Sequence, residues 1–423
     1  MHHFNYRNGV LHCEGVSLEA VARELGTPAY VYSDATLRRH YRVLADAFAD
    51  RNVLIAYAVK ANSNLGVIAT LAAEGAGADV VSGGEMLKAM AAGVPANRIV
   101  FSGVGKSEVE IRLGLEHGIF QFNVESMPEL YRLSRIAQEM GKRAPIAFRV
   151  NPHVEAGGHT HISTGTPETK FGIAWHEADA FYDEASRLPN IDPIGVAVHI
   201  GSQILRIDPM RAAWEKVVSL ARRLRDRGFN IQRVDFGGGL GVPYKDGEDP
   251  DSPTIYARQA REVLGNLDVR LVLEPGRLIA GNAGVLISRV EYIKERDGRI
   301  FVILDAGMND LLRPALYAAH HEVLPLRTPA MGAERRAVDI VGPICESTDR
   351  FAKDRPMPPL KEGDLVAFMT AGAYGATLSS QYNSRPLVAE ALVRGDACVV
   401  VRRRPTFDEM IALERAPDWI TSG

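Results

Sequence analysis

The chain has 423 residues, 46% of them hydrophobic, enough to bury a large core and suited to two domains or one large barrel with an appendage. A formal net charge of −3 excludes a basic nucleic-acid face or a polybasic membrane patch as an organising feature. No apolar run approaches the roughly 18 to 20 residues of a membrane span. The first residues lack a signal-peptide pattern, and the three scattered cysteines, Cys13, Cys345 and Cys398, argue against a disulfide framework. The expectation is a soluble cytoplasmic protein with no nucleic-acid, membrane or metal site.

In chain order, Phe4 to Glu14 reads as a hairpin turned at Arg7-Asn8-Gly9, where Asn-Gly supplies the positive φ angles of a tight turn. A helix over about Ser17–Leu25 ends at Gly26, a strand follows at Ala29–Tyr32, and Asp34 opens an amphipathic helix that runs to about Asp50. From there, short β-branched runs recur at Leu54–Lys60, Ala78–Ser82, Ile99–Ser102, Phe120–Val124, Pro145–Val150, Ile194–Ile200, Arg233–Phe236 and Arg270–Glu274. Helical patterns lie between them, at Leu65–Glu74, Gly84–Ala92, Glu108–His117, Pro128–Met140, Met210–Asp226 and Ile255–Leu267. Eight strands alternating with helices predict a (β/α)8 barrel, with an open doubly wound sheet as the competing fold. The unusual residues favour the barrel. Lys60, Ser82, Ser102, Asn123, Glu125, Arg149, Asn151, His199, Ser202, Gly237, Gly238, Gly239, Glu274 and Arg277 all fall at or just past a strand's carboxyl end. In a barrel those ends converge on one mouth. The polar stretch from His153 to Thr169 is the long connection of the barrel and is expected to act as a lid.

Beyond about Gly284 the regular helices stop, and strands are expected at Val285–Ile293, Arg299–Leu304, Ala337–Val341, Leu365–Met369 and Ala391–Arg402, with a helical tail over Phe407–Ala416. The predicted organisation is therefore an α/β chain: an N-terminal segment over 1–33, a barrel over 34–282, and a mainly antiparallel β-domain over 283–423 that the N-terminal segment completes.

Chemistry gathers at a few motifs. The run Val53-Leu54-Ile55-Ala56-Tyr57-Ala58-Val59 delivers Lys60 to the carboxyl end of a buried strand. Desolvation there favours the neutral amine, a nucleophile suited to a Schiff base, although the segment alone also fits a lysine that carries its charge out of the strand end. Gly237-Gly238-Gly239 bares backbone N–H groups for a phosphate or simply makes a tight turn. Glu274-Pro275-Gly276-Arg277 offers a carboxylate for a protonated ring nitrogen and a guanidinium for an anion; a surface ion pair on a Pro-Gly turn fits equally. His199 can stack on a flat group or move a proton, or be structural. Together the four parts match what pyridoxal 5′-phosphate requires at its aldehyde, phosphate, ring face and pyridine nitrogen. The C-terminal region adds Arg313 and Tyr317 four residues apart, Tyr374 between glycines, and Cys345 beside Glu346 in a polar loop where a thiol has a chemical role.

These motifs, Tyr57-Ala-Val-Lys60-Ala-Asn62, His199-Ile-Gly-Ser202-Gln, Gly237-Gly-Gly239, Glu274-Pro-Gly-Arg277, Leu312-Arg313-Pro-Ala-Leu-Tyr317, Cys345-Glu346-Ser and Gly372-Ala-Tyr374-Gly, occur in one order over nearly the whole chain. In this the sequence resembles the fold-type III pyridoxal-phosphate decarboxylases, and among them the branch acting on meso-diaminopimelate. The resemblance implies that Lys60 carries the cofactor, that His199 stacks on it, and that Ser202, Gly237, Gly238, Gly239, Glu274, Gly276, Arg277 and Tyr374 bind it. It also implies substrate contacts from Arg277, Arg313, Tyr317, Glu346 and Tyr374. A homodimer is implied too, in which Cys345 reaches the partner's lysine as general acid. A substrate whose distal end is itself an amino acid needs a cation and an anion there, which Arg277, Arg313, Tyr317 and Glu346 supply; ornithine lacks the distal carboxylate. Decarboxylases of ornithine, arginine or carboxynorspermidine share the barrel motifs. A racemase, which wants arginine at the pyridine nitrogen, is disfavoured by Glu274, and a non-catalytic regulator by the presence of Lys60 and the glycine turn.

Overall fold

The computed structural model describes residues 2–154 and 170–421. The chain divides into two compact units, one over Thr36–Gly281 and one formed by Met1–Ala35 together with Asn282–Gly423. Most of the connection expected to form a lid, 155–169, lies outside the described residues.

The first unit is a closed parallel barrel. Its eight strands, Val53–Ala58, Gly77–Val80, Ile99–Phe101, Gln121–Val124, Ala144–Asn151, Ile191–Ala197, Arg233–Asp235 and Arg270–Leu273, pair in sequence order, and the last returns to the first through Leu271–Leu273 on Val53–Ile55. These strands are buried on both faces, which is why they read as continuous apolar runs rather than as alternations. Helices are delimited by the expected signals: Ser82, Ser107, Ser126 and Ser252 each accept a hydrogen bond from the backbone of the first turn, and Ser107 with Glu110 makes a full capping box. The helix Ala178–Arg187 was not among the expected elements. Inside the barrel Leu54, Ala56, Val100, Phe120 and Val272 pack as one buried cluster. Arg233 and Arg270, the first residues of their strands, lie over the Phe120 ring at 3.7 and 5.1 Å and close the amino-terminal end. Polar groups are thereby left to the carboxyl end.

In the second unit Gly284–Arg296 is the central strand. It pairs antiparallel with Ala29–Ser33, with Leu365–Phe368 and with Arg299–Leu304. The N-terminal segment therefore contributes a fully buried strand, which also pairs in parallel with Ala389–Arg394. Asn8 and Gly9 both adopt positive φ, 49° and 78°, at the turn of the N-terminal hairpin. Three expectations are corrected. Ala391–Arg402 is a hairpin of Ala389–Arg394 and Ala397–Arg402, turned at Gly395 with φ 59°. The tail helix is confined to Phe407–Ile411. A further strand, Arg350–Met357, ends the sheet order; its charges and Pro356 hide it in the sequence because an edge strand tolerates both.

Candidate active site

Lys60 leaves the first barrel strand on a single 3-10 turn, Val59–Ala61, with Val59 and Ala61 both buried. Lys60 Nζ donates at 2.5 Å to Oδ2 of Asp79, an acid near the end of the second strand with no exposed surface. Asp79 stands alone in an otherwise apolar run, Gly77–Val80, and that is the signal by which the sequence could have given it away.

A cavity of about 440 Å³ opens at this carboxyl end, lined by Lys60, Ser102, Asn123, His199, Asp235 and Glu274 among others. Glu274 follows the eighth strand. Its carboxyl is buried and pushed well above the usual carboxylate range, first by that burial and then by Asp235 and Asp79. Part of His199 stays accessible, yet burial of its ring, with Arg149 and Lys60 nearby, lowers its pKa well below the usual imidazole value. The ring is therefore neutral. Its Nδ1 accepts from the Gly238 N–H at 3.3 Å, which ties it to the glycine turn.

That turn admits no side chains. A Cβ on Gly238 would lie 2.1 Å from the Glu274 carbonyl oxygen, and one on Gly239, at φ +117°, would lie 2.4 Å from the Gly201 carbonyl oxygen. The turn is laced to the loop after the sixth strand: Gln203 Nε2 donates to the Val242 carbonyl at 2.6 Å, and Ile204 bridges to Leu240. Beside it Arg277 is buried rather than surface-paired, donating from Nη1 to Tyr244 Oη at 2.6 Å and from Nη2 to Ser202 Oγ at 3.3 Å. Gly276 immediately precedes the short helix Arg277–Ala280. The barrel thus brings Lys60, His199 and Glu274 to one cavity, with Gly237, Gly238, Gly239, Ser202 and Arg277 woven into adjoining loops.

The remaining expected residues lie on the second unit. Arg313 and Tyr317 begin and end one short helix, and Arg313 Nη1 donates to His321 Nε2 at 2.8 Å, while His321 Nδ1 faces the Met369 carbonyl at 2.9 Å. Tyr374 takes a left-handed conformation, φ 56°, which few non-glycine residues adopt without a local reason. Cys345 is exposed and held at two points by a residue the sequence reading passed over. Asn383 Nδ2 donates to Cys345 Sγ at 3.2 Å, and the Cys345 N–H donates to Asn383 Oδ1 at 3.3 Å. Asp349 fixes the same loop by accepting from the Ile344 and Met308 N–H groups, both at 2.6 Å.

A family model described as the pyridoxal binding domain of pyridoxal-dependent decarboxylases matches residues 34–281. The chain belongs to that family. Curated relatives of this decarboxylase include the diaminopimelate decarboxylase of Pseudomonas fluorescens, 50% identical over 97% of this chain and 98% of its own length. That of Aquifex aeolicus is 46% identical over 97% of this chain and 96% of its own. Among solved structures, diaminopimelate decarboxylase from Helicobacter pylori complexed with L-lysine superposes with a TM-score of 0.90 at 40% identity, covering 94% of this chain and 99% of that one. Pyridoxal phosphate is the cofactor of the family, and the residues here fit it: an amine and a buried, basic carboxyl line one cavity, and a turn too tight for any Cβ adjoins them.

Proposed function

We infer that this chain is a carboxy-lyase that converts meso-2,6-diaminopimelate to L-lysine and CO2, the last step of lysine biosynthesis, with pyridoxal 5′-phosphate as cofactor. The observation that carries the reading is the Lys60 amine and the buried Glu274 carboxyl on one cavity, in a chain alike over 97% of its length to diaminopimelate decarboxylases. When bound, the cofactor supplies a sink for the electron pair left on the substrate's α-carbon as CO2 departs.

The chain's own residues do the rest. Lys60 would hold the cofactor through its amine, and Asp79 stands beside that amine as its acidic partner. Glu274 would face the ring nitrogen, where its carboxylate would favour the protonated form by its negative charge. Neutral His199 presents a flat face that adds no positive charge beside the ring. Ser202, Gly237, Gly238, Gly239, Gly276 and Arg277 hold the phosphate end. Arg277, Arg313 and Tyr317 hold the substrate's distal carboxylate and Glu346 its distal ammonium, with Tyr374 a further contact to both substrate and cofactor. Cys345, supplied by a second copy in a homodimer, returns a proton to the carbon that lost CO2. The Asn383 clamp on Cys345 supports that role, since a general acid must be aimed as well as available.

The test is CO2 release from meso-diaminopimelate, ornithine, arginine and carboxynorspermidine, with the wild type and with Lys60→Ala. The wild type is expected to show a visible absorption band and the highest kcat/KM on meso-diaminopimelate, and Lys60→Ala to lose band and turnover together. A preference for ornithine would overturn the substrate assignment.

A further inference from the structure

Arg313 is held by a histidine to which the proposed function gives no task. Arg313 and His321 are both buried, 6% and 2% exposed, and Arg313 Nη1 lies 2.8 Å from His321 Nε2. A guanidinium can only donate, so Nε2 is the accepting nitrogen and the ring proton sits on Nδ1. Nδ1 in turn donates to the Met369 carbonyl at 2.9 Å, a group that can only accept. Both ring nitrogens are thereby committed with a single proton, and the imidazole is neutral. A second proton on Nε2 would point at the N–H it now receives from. The backbone sets this contact up. The helix Arg313–Tyr317 ends at Ala318 in a left-handed conformation, φ 49°, uncommon for alanine, and the Ala319 N–H bonds to the Arg313 carbonyl at 3.4 Å. Glu322, the residue after His321, accepts the Met369 N–H on its carbonyl at 2.8 Å, so His321 and its neighbour are stitched to the end of the strand Leu365–Phe368. Arg355 of the edge strand donates from Nη1 to the His321 carbonyl at 3.1 Å and fixes the same segment again.

We propose that His321 is a positioning residue for substrate selection: as a neutral acceptor it aims the Arg313 guanidinium at the substrate's distal carboxylate without cancelling its charge. This rests on the assignment of Arg313 to that carboxylate. An arginine side chain has several rotatable bonds, and fixing them in advance avoids the entropy otherwise lost when the anion binds. An aspartate or glutamate in the place of His321 would fix the guanidinium as firmly, yet would take up the charge the substrate needs. Arg277, assigned to the same group, donates to hydroxyls, Tyr244 Oη and Ser202 Oγ. Hydroxyl and imidazole acceptors leave a full positive charge for a carboxylate to meet, and a hydrogen bond between ionised partners is roughly twice as strong as a neutral one. Selection follows from this. A substrate with a bare amine at its distal end gains nothing from an oriented guanidinium, so His321 acts on the discrimination between substrates rather than on the loss of CO2.

The experiment uses cofactor-loaded wild type, His321→Asn, His321→Gln, His321→Glu and Arg313→Lys. It measures KM and kcat on meso-diaminopimelate, together with inhibition by L-lysine, which keeps the distal carboxylate, and by cadaverine, which lacks it. Asparagine retains a donor for the Met369 carbonyl but cannot reach Arg313, whereas glutamine reaches Arg313 with a neutral acceptor. His321→Asn is expected to raise KM about tenfold, the effect of one hydrogen bond to a charged group, with kcat within about twofold of the wild type. Inhibition by L-lysine should weaken in step while inhibition by cadaverine holds. His321→Gln should stay near the wild-type KM, and His321→Glu, of the same length but charged, should raise it as asparagine does. An unchanged KM in His321→Asn, beside a raised KM in Arg313→Lys, overturns the proposal and leaves the assignment of Arg313 standing. An unchanged KM in Arg313→Lys overturns both. Equal weakening of L-lysine and cadaverine means a general loosening of the site and also overturns the proposal. Should His321→Asn not fold, the glutamine and glutamate variants decide it, because they differ in charge alone: equal KM values for the two overturn the neutral acceptor.

Discussion

Lys106 offers the sharpest test of how the site is held. Its side chain is 1% exposed, and its ammonium makes three hydrogen bonds: to the Gly103 carbonyl at 2.7 Å, the Asn123 carbonyl at 2.7 Å and Glu129 Oε1 at 2.8 Å. Lys106→Met keeps the aliphatic stem and removes all three. Glu129, itself 7% exposed, would be left as a buried carboxylate, and the bond it accepts from the Glu125 N–H at 3.0 Å does not neutralise its charge. Breaking one partner of a buried pair costs about 3–5 kcal/mol, and the two orphaned carbonyls fall within that figure. For a unit of this size each kcal/mol moves Tm by about 2–4 °C, so a fall of roughly 10 °C is expected. The assay is calorimetry of the full chain, in which the barrel's transition moves. The lost carbonyl bonds come from the loop whose Gly103, Val104 and Gly105 line the cavity and from the strand that carries Asn123, so cofactor retention should weaken before the barrel melts. Lys106→Met with Glu129→Leu removes the stranded charge and should recover most of the loss. A single variant within about 2 °C of the wild type would refute the reasoning.

Cys345→Ala should retain cofactor and lose turnover by about 10²–10⁴, the range of one general acid; undiminished kcat would remove the residue from the mechanism. In Gly238→Ala the new Cβ meets the Glu274 carbonyl at 2.1 Å, backbone that cannot give way locally, so cofactor affinity should fall even where the protein still folds; equilibrium dialysis equal to the wild type would contradict this. Asp310, buried on the second unit, has its carboxyl raised from 3.8 to about 7, mainly by desolvation. A raised acid stabilises the fold fully below its ordinary pKa and loses that contribution as pH climbs through the folded value, here between about pH 4 and 7 and on the order of 4 kcal/mol. Asp310→Asn should flatten the decline of Tm over that window, and parallel profiles for the two proteins would refute it.

Several features were readable before any coordinates. The barrel was, because strands buried on both faces must be apolar throughout and the helices between them carry serine caps, so both periodicities stand in the open. The edge strand Arg350–Met357 was not, since one free edge relaxes the demand for apolar residues and tolerates Pro356. That Lys60, His199 and Glu274 line one cavity was legible from their position at strand ends, a local property. Asp79, Asp235 and Asn383 were passed over because each matters only through a partner distant in the chain: Asp79 through Lys60, Asp235 through Asn123, Asn383 through Cys345.

The sequence by itself determined which residues stand at the rim of the barrel and what kind of chemistry they can do, because side-chain type and strand register are both local. Tertiary structure alone decided their charge states. Whether an acid holds its proton depends on burial and on the other acids and amines that folding sets beside it, and closing the barrel is what put Asp79 against Lys60 and Asp235 against Glu274.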